Sequence, residues 1–356
     1  MADTTGYRCP HCNGEVKFDI VSQKMVCRYC DSIFEISDFD EQKEEVSSAQ
    51  EGERETWADD ELKGMFVFKC SYCGGEIVGD ENTSATTCPF CDMPVVLKER
   101  FAGGLKPDYI IPFKIKKDEA VKKLQEFCNG KKLLPKSFTE NNRVESLKGM
   151  YVPFWVYDSK PYTEVDIEGS KSGKSWSDSS FRYTEVSVYS EHKAGSMEFK
   201  NVPVDASKKM DDNYMNSIEP FDYKDMIEFN SAYLAGYISD KYDEDEKTCE
   251  NRAYERMSNT IKDSFLSSSS LSNKKITNIN INPNFTKKSY VLLPVWILST
   301  RYNDTIYTYA MNGQTGKFIG KLPIDEKLKK KSFITTFGVV VAIGTIIMAI
   351  ASKFVL

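Results

Sequence analysis

Eight cysteines stand in two sets with one spacing: Cys9, Cys12, Cys27 and Cys30, then Cys70, Cys73, Cys88 and Cys91. Each set has two residues inside each pair and fourteen between the pairs. Two residues between thiolates let a tight knuckle aim both sulfurs at one ion, and a second knuckle brought over by a hairpin completes a tetrahedron. Soft thiolates in that geometry suit Zn2+, although the spacing alone also admits iron. With four cysteines on each metal no position is left for water or substrate, so two structural zinc sites are expected rather than catalytic ones. His11 lies inside the first knuckle and, with four cysteines available, is expected to be an exposed turn residue.

The segments between the knuckles must bring them together, and they read as strands. Val16, Phe18 and Ile20 alternate with polar residues, and Met25-Val26 leads back; Ile77-Val78 and Val95-Val96-Leu97 repeat the pattern in the second set. Zinc ribbons are therefore expected over 1–36 and 63–101, each too small to fold on its apolar core without metal. Neither has the charge that a phosphate backbone requires, since each carries four basic and five acidic side chains. Between them, 37–62 holds eleven acidic and two basic residues and reads as a solvated acidic linker. The chain has 356 residues and a formal net charge of −6, which opposes a nucleic-acid partner. Met1 to Arg8 lack a basic region followed by an apolar stretch, so the thiols are expected to meet a reducing cytoplasm, where such pairs hold metal rather than form disulfides.

At the far end, 332–351 run twenty residues without a charge. As a helix this stretch reaches about 30 Å, the thickness of a bilayer's hydrocarbon core. Lys327, Lys329, Lys330 and Lys331 precede it and only Lys353 follows. The positive-inside rule then predicts a single-pass protein of the cell membrane with 1–331 cytoplasmic and the C-terminus outside. Gly338, Ala342, Thr345 and Ala349, together with Thr335 and Ser352, recur at spacings of three and four and could form a helix-pairing face within the bilayer.

The residues 102–331 are expected to form an α+β domain with an antiparallel sheet. Asp118 is placed as the cap of a helix running to about Cys128, with Val121, Leu124 and Cys128 on one face and Asn129-Gly130 ending it. Strands are expected at Tyr151–Tyr157, Tyr162–Ile167, Phe181–Tyr189 and Ser196–Val202, separated by Gly- and Ser-rich turns. A helical part follows over 211–267, in which Cys249, Ala253, Met257, Ile261 and Phe265 make an apolar stripe, and strands return at Lys275–Ile281, Tyr290–Arg301 and Thr305–Met311. Val152-Pro153-Phe154-Trp155-Val156 and Leu293-Pro294-Val295-Trp296-Ile297 resemble each other, which suggests a sheet of two related halves. A proline within a strand calls for an edge or a bulge.

No catalytic constellation is legible, and the chain is read as a non-enzyme with no catalytic residue. Gly169-Ser170-Lys171-Ser172-Gly173-Lys174-Ser175 has three residues between its glycines where a phosphate loop needs four, and no helix start follows it. It is read as a turn, as is Gly313-Gln314-Thr315-Gly316-Lys317. His192 is placed in a polar surface turn, and Cys128 and Cys249 in the core.

The Cys70 to Cys91 ribbon, Leu105-Lys106-Pro107-Asp108-Tyr109-Ile110-Ile111-Pro112-Phe113, Tyr151-Val152-Pro153-Phe154-Trp155 and Ala310-Met311-Asn312-Gly313-Gln314-Thr315-Gly316-Lys317 follow one another in the order found in a bacterial family. In these segments the chain resembles transcription-factor-IIB-type zinc-ribbon membrane proteins of Gram-positive bacteria, sometimes labelled primosomal helicases. The helicase label finds no phosphate loop here. The resemblance does not reach the first ribbon, and it implies a non-catalytic membrane protein whose partner is flotillin-like or phage-shock-protein-A-like. The expected function is a non-catalytic membrane-anchored adaptor that recruits or scaffolds a protein partner at the cytoplasmic face, in the setting of a membrane-stress response; the alternative is a membrane-tethered nucleic-acid-binding protein.

Overall fold

A computed structural model describes residues 7–39, 57, 65–70, 72–80, 88–91, 93, 96–100, 105–135, 147–303 and 305–354. Most of the acidic linker lies outside them. In chain order the elements are β1 (Val16–Asp19), β2 (Lys24–Cys27), β3 (Ile33–Phe34), β4 (Met65–Lys69), β5 (Glu76–Asp80), β6 (Val96–Arg100), β7 (Tyr109–Ile110), α1 (Lys117–Cys128), β8 (Lys148–Ser159), β9 (Tyr162–Ser177), β10 (Arg182–Ser196), β11 (Phe199–Asp205), α2 (Asp212–Ile218), β12 (Ile227–Glu228), β13 (Ile238–Asp240), α3 (Glu246–Ser268), β14 (Ser272–Asn282), β15 (Phe285–Tyr302), β16 (Thr305–Asn312), β17 (Phe318–Gly320) and α4 (Glu326–Phe354). The fold is α+β, as the order of strands and helices predicted.

The two Pro-x-Trp strands lie side by side. β8 and β15 pair antiparallel at the centre of an 11-stranded sheet, with Pro153 opposite Leu292 and Pro294 opposite Tyr151. Their outer neighbours correspond. β13 runs parallel to β8 at Met150 and Tyr151, then β11 takes over from Phe154; β7 runs parallel to β15 at Val291 and Leu292, then β16 takes over from Val295. β7 leads into α1 and β13 into α3, so parallel strand, helix, long strand and returning strand occur twice, each copy lending its parallel strand to the other. The match between the two segments in sequence is thus a match in position.

This arrangement also places the prolines, which are central rather than at an edge or a bulge. Each proline carbonyl faces its outer neighbour, Pro153 accepting from Ala206 N at 2.9 Å and Pro294 from Gly313 N at 2.8 Å. A residue's N–H points to the same side as its carbonyl, so the missing donor falls where one outer strand has ended and the next has not begun. No ladder bond is lost.

Both faces of the central pair are covered. Tyr151, Trp155, Tyr157, Tyr290, Leu292 and Trp296 join the core under α1 and α3. Met150, Val152, Phe154, Val156, Val291 and Leu293 face α2 and the second cysteine set. The period of two is what divides them.

Several expectations change. Asp118 lies inside α1, whose N-cap is Lys116 without a side-chain bond; Ala120, Leu124 and Cys128 are its buried residues, whereas Val121 is half-buried. The stretch read as helical over 211–267 is two helices, α2 and α3, with two short strands and 3-10 turns between them, because β12 and β13 find partners in β7 and β5. The Gly169 to Ser175 segment is not a turn but the outer half of β9, and His192 sits within β10; together with β14 these form a separate three-stranded sheet. Cross-strand pairing overrides the turn tendency of Gly and Ser. Gly313 to Gly316 is a turn, with Gly316 at φ 76°. The boundary drawn between the second ribbon and the α+β domain is crossed by the sheet, since Val78 and Ile77 of β5 pair with Ser239 and Asp240 of β13.

Candidate metal centres

Both cysteine sets converge. Cys9 Sγ is 3.5 Å from Cys30 Sγ and Cys12 Sγ is 3.4 Å from Cys27 Sγ. Cys70 and Cys91 are 3.5 Å apart, Cys73 and Cys88 3.6 Å, and within each set all four sulfurs lie within 4.8 Å of one another. A tetrahedral ion with metal–sulfur bonds of about 2.3 Å holds its sulfurs about 3.8 Å apart, so both groups suit metal binding.

The knuckles share one construction. Cys9 N donates to Gly14 O and Asn13 N to Cys9 O, both at 2.8 Å; Cys70 N donates to Gly75 O and Gly74 N to Cys70 O, both at 2.9 Å. Cys27 N likewise donates to Ser32 O at 2.9 Å. The residue after the second cysteine turns left-handed, at φ 56° for Asn13, 55° for Asp31 and 72° for Gly74. Asn, Asp and Gly tolerate that region best. The next position is tighter still. A Cβ on Gly14 would lie 2.5 Å from the Tyr29 ring, and one on Gly75 would lie 2.8 Å from the Phe90 ring. An aromatic of the opposite knuckle therefore closes over a glycine in both centres. Neither the glycines nor Tyr29 and Phe90 were singled out in the sequence, though Cys-x-x-Cys-Asn-Gly and Cys-x-x-Cys-Gly-Gly carry the signal.

Their surroundings differ. In the first centre Cys9 and Cys27 are buried and Cys12 and Cys30 exposed; in the second only Cys73 is exposed. The Ser32 hydroxyl beside Cys30, with the Ser32 N–H, draws that thiol down to about 6. Burial pushes Cys91 up to about 11 and raises Cys88 as well. The first ribbon has its own small core, Val16, Phe18 and Met25 with Cys9 and Cys27, and rests on Ala232 and Ala235. Phe18 meets Tyr233 edge-on at 5.0 Å, and Gln23 Nε2 donates to Phe113 O at 3.2 Å. The second centre has no such separate core, because Cys70, Cys88 and Cys91 belong to the cluster that includes Met150 and Phe154.

A buried charge group adjoins the second centre. Lys209 Nζ lies 5.7 Å from the centroid of the Phe90 ring and pairs with Asp240 at 3.0 Å and Asp243 at 3.3 Å. Ser207 Oγ donates to Asp240 Oδ2 at 2.5 Å. Burial pushes the Asp240 carboxyl up to about 6 against the pull of Lys209. Nearby in sequence, Asp205 is held by Arg252 at 2.7 Å, and Arg252 also reaches Asp212 and Glu244, each at 2.8 Å. Sequence reading missed both groups, since the partners are far apart along the chain and look like ordinary surface charges.

The remaining expected residues are apart from the metal sites. His11 is exposed, its Nδ1 2.9 Å from Ser32 Oγ, and joins no ligand set. His192 Nδ1 lies 2.8 Å from Asp166 Oδ1 on the exposed sheet. Cys128 and Cys249 are buried. Gly338, Ala342 and Thr345 lie on α4, where Thr345 Oγ1 donates to the Ala342 carbonyl at 2.8 Å; the side chain of Ala349 is outside the described residues. α4 begins six residues before the apolar run, capped by Asp325, whose Oδ1 accepts from Lys327 N at 2.8 Å. Over Glu326–Met348 it is a candidate membrane span by length and composition, and its most apolar stretch is uncovered by the rest of the fold.

Comparison with known proteins adds two findings. A family model described as Trm112p-like protein matches residues 8–38, the ribbon that the resemblance of the later segments had left aside. Over 320 residues the chain is 33% identical to the "Uncharacterized protein YdjG" of Bacillus subtilis, covering 89% of this chain and 90% of that one. No solved structure matches the chain significantly.

Proposed function

The chain belongs to the family of the Bacillus subtilis protein YdjG, and from that footing we propose a membrane-anchored zinc-ribbon adaptor that gathers a protein partner at the cytoplasmic membrane face. The wider kinship with transcription-factor-IIB-type zinc-ribbon membrane proteins is part of the same proposal. The observation that carries it is the donor set. Four cysteines surround each centre, so a tetrahedral Zn2+ would have every position filled and would serve to hold a surface in shape rather than to activate water. α4 supplies the anchor, and the lysines before it set the folded part on the cytoplasmic side. The reading is non-catalytic. Nucleic acid is opposed by the charge of both ribbons, and a stress-response partner is the class that the family resemblance favours.

The test starts from tagged full-length protein recovered from nuclease-treated membranes in mild detergent. Metal analysis is expected to return two zinc ions per chain, and fewer than two tightly held ions counts against the ribbons. Val21 and Ile33 are exposed on the first ribbon, so Val21→Glu with Ile33→Glu leaves the cysteines intact. A partner identified by mass spectrometry should be lost with that variant while zinc stays at two. Recovery of no stable partner, or salt-sensitive recovery of nucleic acid instead, overturns the adaptor.

A further inference from the structure

The root of α4 is not a free tether. Asp325 N donates to the Leu133 carbonyl at 2.9 Å, which ties the start of the helix to the turn that follows α1. That turn is itself closed by Leu134 N donating to Lys131 O at 3.0 Å. Leu328 is half-buried, and the helix then continues unbroken to Phe354. The root of the span is therefore tied to the turn after α1, so the span's position sets where that turn sits. From Asp325 to Ser332, where the uncharged run begins, is seven residues, an axial rise of about 10 Å. The headgroup layer outside a hydrocarbon core is about 5–8 Å deep. The turn after α1 thus lies at the outer limit of the headgroups, within a Debye length of about 8–10 Å.

That position is occupied by lysines. Residues 126–134 and 321–331 together hold seven, Lys131, Lys132, Lys321, Lys327, Lys329, Lys330 and Lys331, against Glu126, Asp325 and Glu326. All seven are exposed. Asp325 is engaged in capping, and Glu326 pairs with Lys329 at 3.2 Å. The cluster runs against the net negative charge of the chain, and against local helix electrostatics too. Two of the lysines, Lys327 and Lys329, stand in the first turn of α4, where the helix dipole disfavours cations. A negative surface facing them would offset that cost.

We propose that the domain docks directly on an anionic bilayer through this basic face, formed by the turn after α1, Lys321 and the first turns of α4. The inference rests on the membrane-anchored reading and deepens it. The occupant is the lipid surface itself, because the face is continuous with the span and opposite in charge to phosphatidylglycerol headgroups. A domain held in this way presents its ribbons in a fixed orientation instead of swinging on a linker.

The experiment uses the full chain in nanodiscs of phosphatidylcholine alone or with about one-third phosphatidylglycerol, read by hydrogen exchange. Amides of 129–134 and 321–328 are expected to exchange at least threefold more slowly in the anionic discs, and about 0.5 M salt should abolish the difference. Lys131→Gln with Lys132→Gln changes only exposed side chains and should remove the effect on 129–134, while exchange in α3 stays unchanged. Equal exchange in both lipids, or protection that persists in the double variant, overturns the docking while leaving the span intact. Equal protection on adding duplex DNA to phosphatidylcholine discs would reassign the face to nucleic acid. A chain that does not co-elute with discs overturns the anchor itself.

Discussion

At the scale of single residues, the sharpest consequence concerns Asp240. Its carboxylate is buried with Lys209, and removing one partner of such a pair leaves the other charge without compensation. Lys209→Met is expected to destabilise the domain by roughly 3 kcal/mol, read by urea unfolding. The pH dependence has a definite sign. Burial pushes Asp240 up to about 6 in the folded chain, whereas an unfolded aspartate titrates near about 3.9. Between those values the folded state holds a proton that the unfolded state lacks, so this group's contribution to stability is present below the lower value and is lost as pH rises through the higher. The stability of the natural chain relative to Asp240→Asn should therefore increase as pH falls from about 7 to about 5. A difference independent of pH would sink the buried placement. At the second metal centre, Gly75→Ala puts a Cβ 2.8 Å from the Phe90 ring. Chelator competition should show roughly tenfold weaker metal binding, the scale seen when groups that orient ligands are disturbed.

At the scale of elements, the two ribbons part company. The first keeps its own core and meets the domain through Phe18, Gln23 and the Ala232–Ala235 turn. The second gives β5 to β13, the strand that carries Asp240. Cys9→Ser with Cys12→Ser should unfold the first ribbon and leave amide exchange of Ile238–Asp240 unchanged. Cys70→Ser with Cys73→Ser should speed that exchange and lower the melting temperature of the whole domain by several degrees. Equal effects of the two pairs would show that the ribbons are equivalent modules. Asn312 marks another element-level device: its Oδ1 accepts from Gln314 N and Thr315 N, both at 2.9 Å, and its Nδ2 donates to Ile218 O and Pro220 O, both at 3.1 Å. The Gly313 to Gly316 turn is thereby bound to the loop after α2, which gives that segment a structural role.

At the scale of the whole molecule, the hydrogen bond from Asp325 N to Leu133 O ties the root of α4 to the folded domain, so the proposed anchor would also orient that domain. A chain ending at residue 331 keeps all seven lysines of the basic face and is expected to be released from membranes by high salt, with the full chain in membranes that resist an alkaline wash. Retention of the shortened chain at low salt and its release at high salt would fit the basic face acting alone; retention at high salt would speak against α4 as the anchor.

The eight cysteines, the uncharged run at the C-terminus and most of the strands were legible because each rests on spacing or composition within a short window. Two residues between thiolates, twenty without a charge and an apolar period of two are local facts with local physical causes. The union of the second ribbon with the main sheet was not legible, nor were the placing of Pro153 and Pro294, the strand character of Gly169 to Ser175, or the pairing of Lys209 with Asp240. Each depends on which distant segment supplies the partner: Val78 for Ser239, Ala206 for Pro153, Asp166 for His192. A strand edge, a missing N–H or a buried charge is favourable or costly only according to the group set opposite it, and chain folding alone decides that group.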